Sequence, residues 1–280
     1  MGVSDLSGKW TEQMLKSDRF APMRLRIHRS PAAGRATPLV FHLHGGAFVA
    51  GSVDTSRAVA DLLVEAGATV VDAEYPVAPA NPFPCALEAA FDMLLWAYKN
   101  CPTSKNCRAF VAGEEAGGNL AAALALMARD QRIPPLAGQI LISPMLDPCM
   151  ATKSIRAAEA GPVGCKWADG WHSYLGSADK ASHPYAAPLG ASRLAGLPPA
   201  LIITADDDPM HDESLSYARR LVECGVFVDQ HVLAAPTGWP DALQTPARVG
   251  AAWAAQLRTL FADFFAKTAA LSISPSLGRP

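Results

Sequence analysis

The stretch that most limits how this chain can fold is Gly113-Glu114-Glu115-Ala116-Gly117-Gly118-Asn119-Leu120. An apolar run, Ala109-Phe110-Val111-Ala112, precedes it, and a helical run from Ala121 to Arg129 follows. A strand, a glycine-rich turn and a helix in that order reverse the chain sharply and hold the residue at the apex, here Glu115, at the end of a sheet. Such a turn needs a parallel sheet around it, because the helix must carry the chain back to start the next strand.

The remainder of the chain supplies that sheet. Residues 23–28 alternate apolar and polar and read as a half-buried strand, and 39–43 as a short buried one. Strands are also expected over 68–75, 107–112, 138–143, 201–204 and 226–233, and helices over 54–66, 86–98, 119–129, 212–224 and 247–269. Gly67 and Gly225 stop two of the helices. The expected fold class is α/β, with a mostly parallel central sheet covered by helices on both faces. Residues 1–22 form a short helix or an extended arm, and 271–280 a loose tail.

Residues 145–195 break the rhythm. Pro148, Pro162, Pro184 and Pro188 interrupt mixed polar sequence in which Trp167, Trp171 and Tyr174 recur at helical spacing. This is expected to be a helical lid inserted over the strand ends, with the three aromatics forming its core. With no internal repeat and no linker, residues 1–280 read as one domain carrying that lid.

Charge narrows the partners. The 280 residues hold 24 basic and 26 acidic side chains, a net charge of −2, which gives no reason to expect nucleic acid or an anionic membrane surface. No apolar run reaches membrane-spanning length, and the first residues lack a secretory pattern. Six scattered cysteines read as reduced thiols, and the protein is expected in the cytoplasm. No His/Cys/Asp group has metal-ligand spacing, so no metal is expected. No cofactor is expected either: the glycines at 113, 117 and 118 lack the ending of a phosphate loop.

Four motifs occur in a telling order. They are His44-Gly45-Gly46-Ala47-Phe48 at a strand end, Tyr75-Pro76-Val77-Ala78-Pro79 with Asn81-Pro82-Phe83-Pro84, the turn at Glu115, and Asp208-Pro209-Met210-His211-Asp212-Glu213. Together they resemble the hormone-sensitive-lipase branch of the α/β-hydrolases, the microbial carboxylesterases, from about residue 38 to residue 265. The resemblance implies an α/β-hydrolase fold, a nucleophile elbow at Glu115 and a triad acid at Asp208. It implies an oxyanion hole at the N–H groups of Gly45, Gly46 and Ala116. The family's histidine, in a His-Gly-aromatic stretch after the last strand, falls on Thr237 of Thr237-Gly238-Trp239. The elbow therefore holds a carboxylate where the family has serine, and a threonine stands where it has histidine.

Serine-esterase chemistry needs a hydroxyl nucleophile and an imidazole to take its proton. With neither in place, Glu115 is expected to act as a general base beside the oxyanion hole, with Asp208 orienting a neighbouring group or water. The substrate would be a small apolar carbonyl or ester-like compound undergoing enolisation, elimination, isomerisation or cyclisation. The positive end of a helix favours a carboxylate at this turn, and burial under a lid disfavours it. Two other readings stand beside this one. Glu115 could be a carboxylate nucleophile or a base for water, as epoxide hydrolases and haloalkane dehalogenases use an aspartate at the elbow. Or the protein could bind a small ligand without turning it over, as the plant gibberellin receptors do. His44 is expected to brace the oxyanion loop, Trp239 to line the pocket and His211 to reach its edge. His42 reads as a satisfied core histidine and Glu114 as structural. A homodimer is possible.

Overall fold

The computed structural model describes residues 10–30, 37–101, 107–159, 166–244 and 251–273. Eight strands form one sheet: β1 (Trp10–Leu15), β2 (Met23–His28), β3 (Leu39–Leu43), β4 (Thr69–Ala73), β5 (Ala109–Glu114), β6 (Leu136–Ile142), β7 (Ala200–Ala205) and β8 (Val228–Leu233). Their order is β1-β2-β4-β3-β5-β6-β7-β8. β1 and β2 run antiparallel at one edge, and all pairings from β4 onward are parallel. The first residues of the described arm are extended: β1 pairs along β2 from Trp10 opposite His28 to Leu15 opposite Met23.

Seven helices accompany the sheet among the described residues: α1 (Arg57–Glu65), α2 (Cys85–Asn100), α3 (Ala116–Gln131), α4 (Lys153–Glu159), α5 (Lys166–Leu175), α6 (His211–Glu223) and α7 (Ala252–Ile273). Alternation along each strand splits the core into two layers. Phe41, Val111, Leu141 and Ile202 pack in a cluster with α2, α3, α6 and the lid. Val40, Phe110, Ile140 and Ile203 face the other way, into a cluster with α1 and α7. Phe110 sits edge-on to Phe264 and Phe265 of α7, at 6.1 and 5.1 Å. Of the helix expected over 247–269, the part from Ala252 onward falls in α7, and residues 247–250 lie outside the described residues. Residues 1–9 of the arm, 31–36 of the turn and 274–280 of the tail lie outside them too.

Close approach at two glycines sets the height of the elbow. A Cβ on Gly117 would stand 2.0 Å from the Leu43 carbonyl oxygen and 2.4 Å from that of His44. A Cβ on Gly113 would stand 2.2 Å from the Gly117 carbonyl oxygen. α3 can therefore begin directly against the end of β3 only because these positions lack side chains.

Candidate active site

Glu115 sits between β5 and α3 with φ 53° and ψ −116°, a region that side-chain-bearing residues rarely enter. The surroundings over-determine this conformation. The Glu115 N–H donates to the Ile142 carbonyl, and its own carbonyl accepts from the N–H groups of Met145 and Asn119. Strain held in this way marks a position that the fold is built to present.

What the turn presents is a carboxylate with no solvent exposure. Its Oε2 accepts three hydrogen bonds: from the N–H of Gly46 at 2.5 Å, the N–H of Ala47 at 3.0 Å and the amide of Gln244 at 2.9 Å. Its Oε1 accepts from the indole N–H of Trp167 at 2.7 Å, with the Lys166 ammonium 3.7 Å away. Lys166 also pairs with Asp241. Both carboxylate oxygens are thus engaged. The donors come from three places: the loop after β3, the first turn of lid helix α5, and the segment after β8.

The lid is seated on the same loop. Along α5, Trp167, Gly170, Trp171 and Tyr174 are buried, a helical stripe. Gly170 packs so closely that a Cβ there would stand 2.3 Å from the Ala47 carbonyl oxygen. Tyr174 stacks on Phe48 at 4.0 Å and Trp171 lies 4.9 Å from the same ring. Trp167, Trp171 and Tyr174 lie in one buried cluster, and Trp167 also turns its N–H to Glu115.

The N–H groups of the loop after β3 that donate to Glu115 are those of Gly46 and Ala47, where Gly45 and Gly46 were the expected pair. Gly46 (φ 119°) and Ala47 (φ 49°) rotate their peptide groups toward Glu115. The Gly45 N–H instead donates to Glu114 at 3.0 Å. Ala116 opens α3 and is not among the described donors to the carboxylate. Asp208 does not meet Thr237. Its carboxylate accepts from the hydroxyls of Ser143 (2.7 Å) and Thr204 (2.6 Å) and from the Met210 N–H. Burial pushes the Asp208 pKa up against these bonds. The acid facing Thr237 is Asp207, which accepts from the Thr237 hydroxyl (2.7 Å) and from the N–H groups of Thr237 (2.7 Å) and Gly238 (3.0 Å). Burial opposes the charge on Asp207, but these donors outweigh it and hold the carboxyl below its usual range. Trp239 is buried edge-on to Trp253, in the layer beneath α7. His211 pairs with Asp212 at the start of α6, partly exposed.

His44 braces the loop. Its Nδ1 bonds the Gly45 carbonyl at 2.8 Å and its ring stacks on Tyr75, whose hydroxyl donates to the His44 carbonyl. Burial pushes its pKa down and keeps the ring neutral. His42 lies between two fully buried carboxylates, Asp72 at 3.0 Å and Glu114 at 2.7 Å. Burial alone would push the imidazole pKa down. The Glu114 charge and the hydrogen bonds to both carboxylates outweigh it and raise the pKa to about 10. Between the ordinary value of 6.5 and about 10 the folded protein then holds one more proton than the unfolded chain. Stability is full below this window and falls as pH rises through it, by up to about 1.4 kcal/mol per pH unit. Urea unfolding at pH 6.5 to 9.5 (chosen as roughly this window) is expected to show this slope in the wild type and a flatter one in His42→Gln. Equal slopes would remove the assignment.

Glu115→Gln supplies a second check. Either orientation of the amide sets an NH2 group against donors: Gly46, Ala47 and Gln244 on one side, Trp167 and Lys166 on the other. An expected loss of about 2–3 kcal/mol follows, read as a fall in the urea midpoint. Unchanged stability would show that the carboxylate is not held as described.

Among the described residues, no group of three or more His, Cys, Asp or Glu side chains is placed to hold a metal ion, and no helix is long and apolar enough to cross a membrane.

A parallel sheet with a strained strand-to-helix elbow, faced by a glycine-rich loop and roofed by a lid, is the architecture of an α/β-hydrolase. Comparison with known proteins agrees: a model of the alpha/beta hydrolase fold matches residues 40–236, and the chain belongs to that family. It is similar to an arylesterase of Saccharolobus solfataricus, 32% identical over 228 residues that cover 79% of this chain and 74% of the relative. It is also similar to a gibberellin receptor of Arabidopsis thaliana, 30% identical over 212 residues, 70% of this chain and 61% of that protein. Among solved structures, one of an arylesterase superposes with a TM-score of 0.80 at 29% identity, over 94% of this chain and 87% of the other.

The residues missed in the sequence are Ala47, Lys166, Trp167, Asp207 and Gln244. Of these only Trp167 carried a signal, as the first aromatic of the lid stripe, and that signal read as packing.

Proposed function

We propose that this chain is a catalytically silent member of the esterase-like α/β-hydrolases, a small-ligand-binding protein whose oxyanion hole is closed from inside by Glu115. One observation carries the reading: the Gly46 and Ala47 N–H groups, which face the elbow as an oxyanion hole would, are both donated to Glu115 Oε2. A general base beside a working oxyanion hole needs those two donors for the substrate oxygen while its own carboxylate stays free to take a proton. Here one side chain occupies both roles, which disfavours proton abstraction from a carbonyl compound. A carboxylate nucleophile needs a histidine to activate water. Of the late histidines, His211 pairs with Asp212 and His231 with Asp229. The likeness to a gibberellin receptor supports a binding role, since that protein's name describes a receptor rather than a hydrolase.

The test combines turnover and binding. Wild-type protein is expected to release no p-nitrophenol from p-nitrophenyl acetate or butyrate above the buffer rate. It is expected to wash no deuterium into cyclohexanone, while small apolar acids raise its unfolding temperature by less than they raise that of Glu115→Ala, in which the donors are free. Hydrolysis or exchange that disappears in Glu115→Ala would overturn the proposal and restore the acid/base reading.

A further inference from the structure

An oxyanion hole serves one oxygen, and backbone N–H groups suffice for it. The cradle around Glu115 serves two. Gly46, Ala47 and Gln244 converge on Oε2, and Trp167 and Lys166 approach Oε1 from the opposite side. All five groups present hydrogens, and one carries a full positive charge. Three of them are side chains from the lid and from the segment after β8, so the arrangement is not inherited from the elbow turn alone. The donors are spaced for a planar, two-oxygen anion, and apart from the Gln244 amide, which can turn its oxygen inward, they offer no acceptor to a neutral group that brings a donor of its own.

We infer that this is a carboxylate-binding site whose resident ligand is the Glu115 side chain, with Gln244, Trp167 and Lys166 as its specificity-determining residues. The inference rests on the reading of the elbow as closed and silent, and it names the ligand class: small monocarboxylates. A ligand entering here must bring its own carboxylate to replace the one it displaces. A neutral ester or amide leaves one set of donors unmatched and Lys166 with Asp241 alone as its partner.

Removing the resident opens the site to a ligand from solution. In Glu115→Ala, acetate and propionate are expected to raise Tm saturably by about 2–4 °C at concentrations well above Kd. The rise should be accompanied by a change in tryptophan fluorescence from Trp167. Acetamide, of the same shape but neutral, and chloride at equal ionic strength are expected to give no saturable rise. Adding Lys166→Met or Trp167→Phe to Glu115→Ala should weaken the acetate response at least about 5-fold in apparent Kd. If Glu115→Ala does not fold, Glu115→Ser provides the same opening. Equal responses to acetate and acetamide, or an acetate response as large in wild type as in the variant, would overturn the inference. Ester turnover by wild-type protein would instead count against silence, so the two failures are separately visible.

Discussion

Glu115→Ser combined with Thr237→His is expected to hydrolyse p-nitrophenyl acetate at least about 10²-fold faster than either single variant, the usual contribution of a general base. The serine alone vacates the loop donors. With Glu115 gone, the Gly46 and Ala47 N–H groups are free to receive a substrate oxygen. The serine hydroxyl is then raised on a backbone already held at φ 53°. It still lacks a partner to take its proton. The histidine supplies one, and its orienting acid is in place: Asp207 lies 2.7 Å from the Thr237 hydroxyl. Adding Asp207→Asn should remove most of the gain, whereas Asp208→Asn is expected to act through stability, because Asp208 is turned toward Ser143 and Thr204. A folded double variant no faster than Glu115→Ser would show that position 237 does not face the elbow.

Gly117→Ala is expected to destabilise the protein by at least about 4 kcal/mol, a fall in Tm of roughly 10 °C, or to prevent folding. The added methyl would lie 2.0 Å from the Leu43 carbonyl oxygen and 2.4 Å from that of His44. Both are backbone atoms, at the end of a central strand, and neither can swing aside as a long side chain does. Relief would require α3 to lift from β3, which would carry Glu115 away from Gly46 and Ala47. Gly190→Ala is the matching control. Nothing lies within 4 Å of a Cβ there, and thermal melts should show a change within about 0.5 kcal/mol of wild type. A small effect at Gly117 would mean that the elbow does not stand against the end of β3.

These two sites also show how far sequence reading reached. The glycines at 113, 117 and 118, set between an apolar run and a helical run, made the elbow and its apex residue legible, because only a close strand–helix crossing needs that pattern. Alternation of strands and helices made the sheet legible for the same kind of reason: period and punctuation are local properties. The site's donors are not local. The resemblance implied loop donors at Gly45 and Gly46, but the direction of an N–H depends on φ at each step, and the loop N–H groups that turn to Glu115 are those of Gly46 and Ala47, both at positive φ. Asp206-Asp207-Asp208 offers three carboxylates in a row, and which one faces Thr237 is decided by the turn after β7, not by the motif. Gln244 and Lys166 reach Glu115 from segments far apart in the chain, with no spacing to announce them. Trp167 was visible as part of an aromatic stripe, yet its indole N–H points to the elbow while Trp171 and Tyr174 pack on Phe48.

The Gly46 and Ala47 amide protons report most directly on whether Glu115 fills the hole. In a ¹H–¹⁵N spectrum of the wild-type protein both are predicted to lie well downfield, as donors to a carboxylate. They should move upfield in Glu115→Ala and return downfield when acetate is added. Resonances at the same positions in wild type and Glu115→Ala would contradict the account, because the two N–H groups would then not be bound to Glu115.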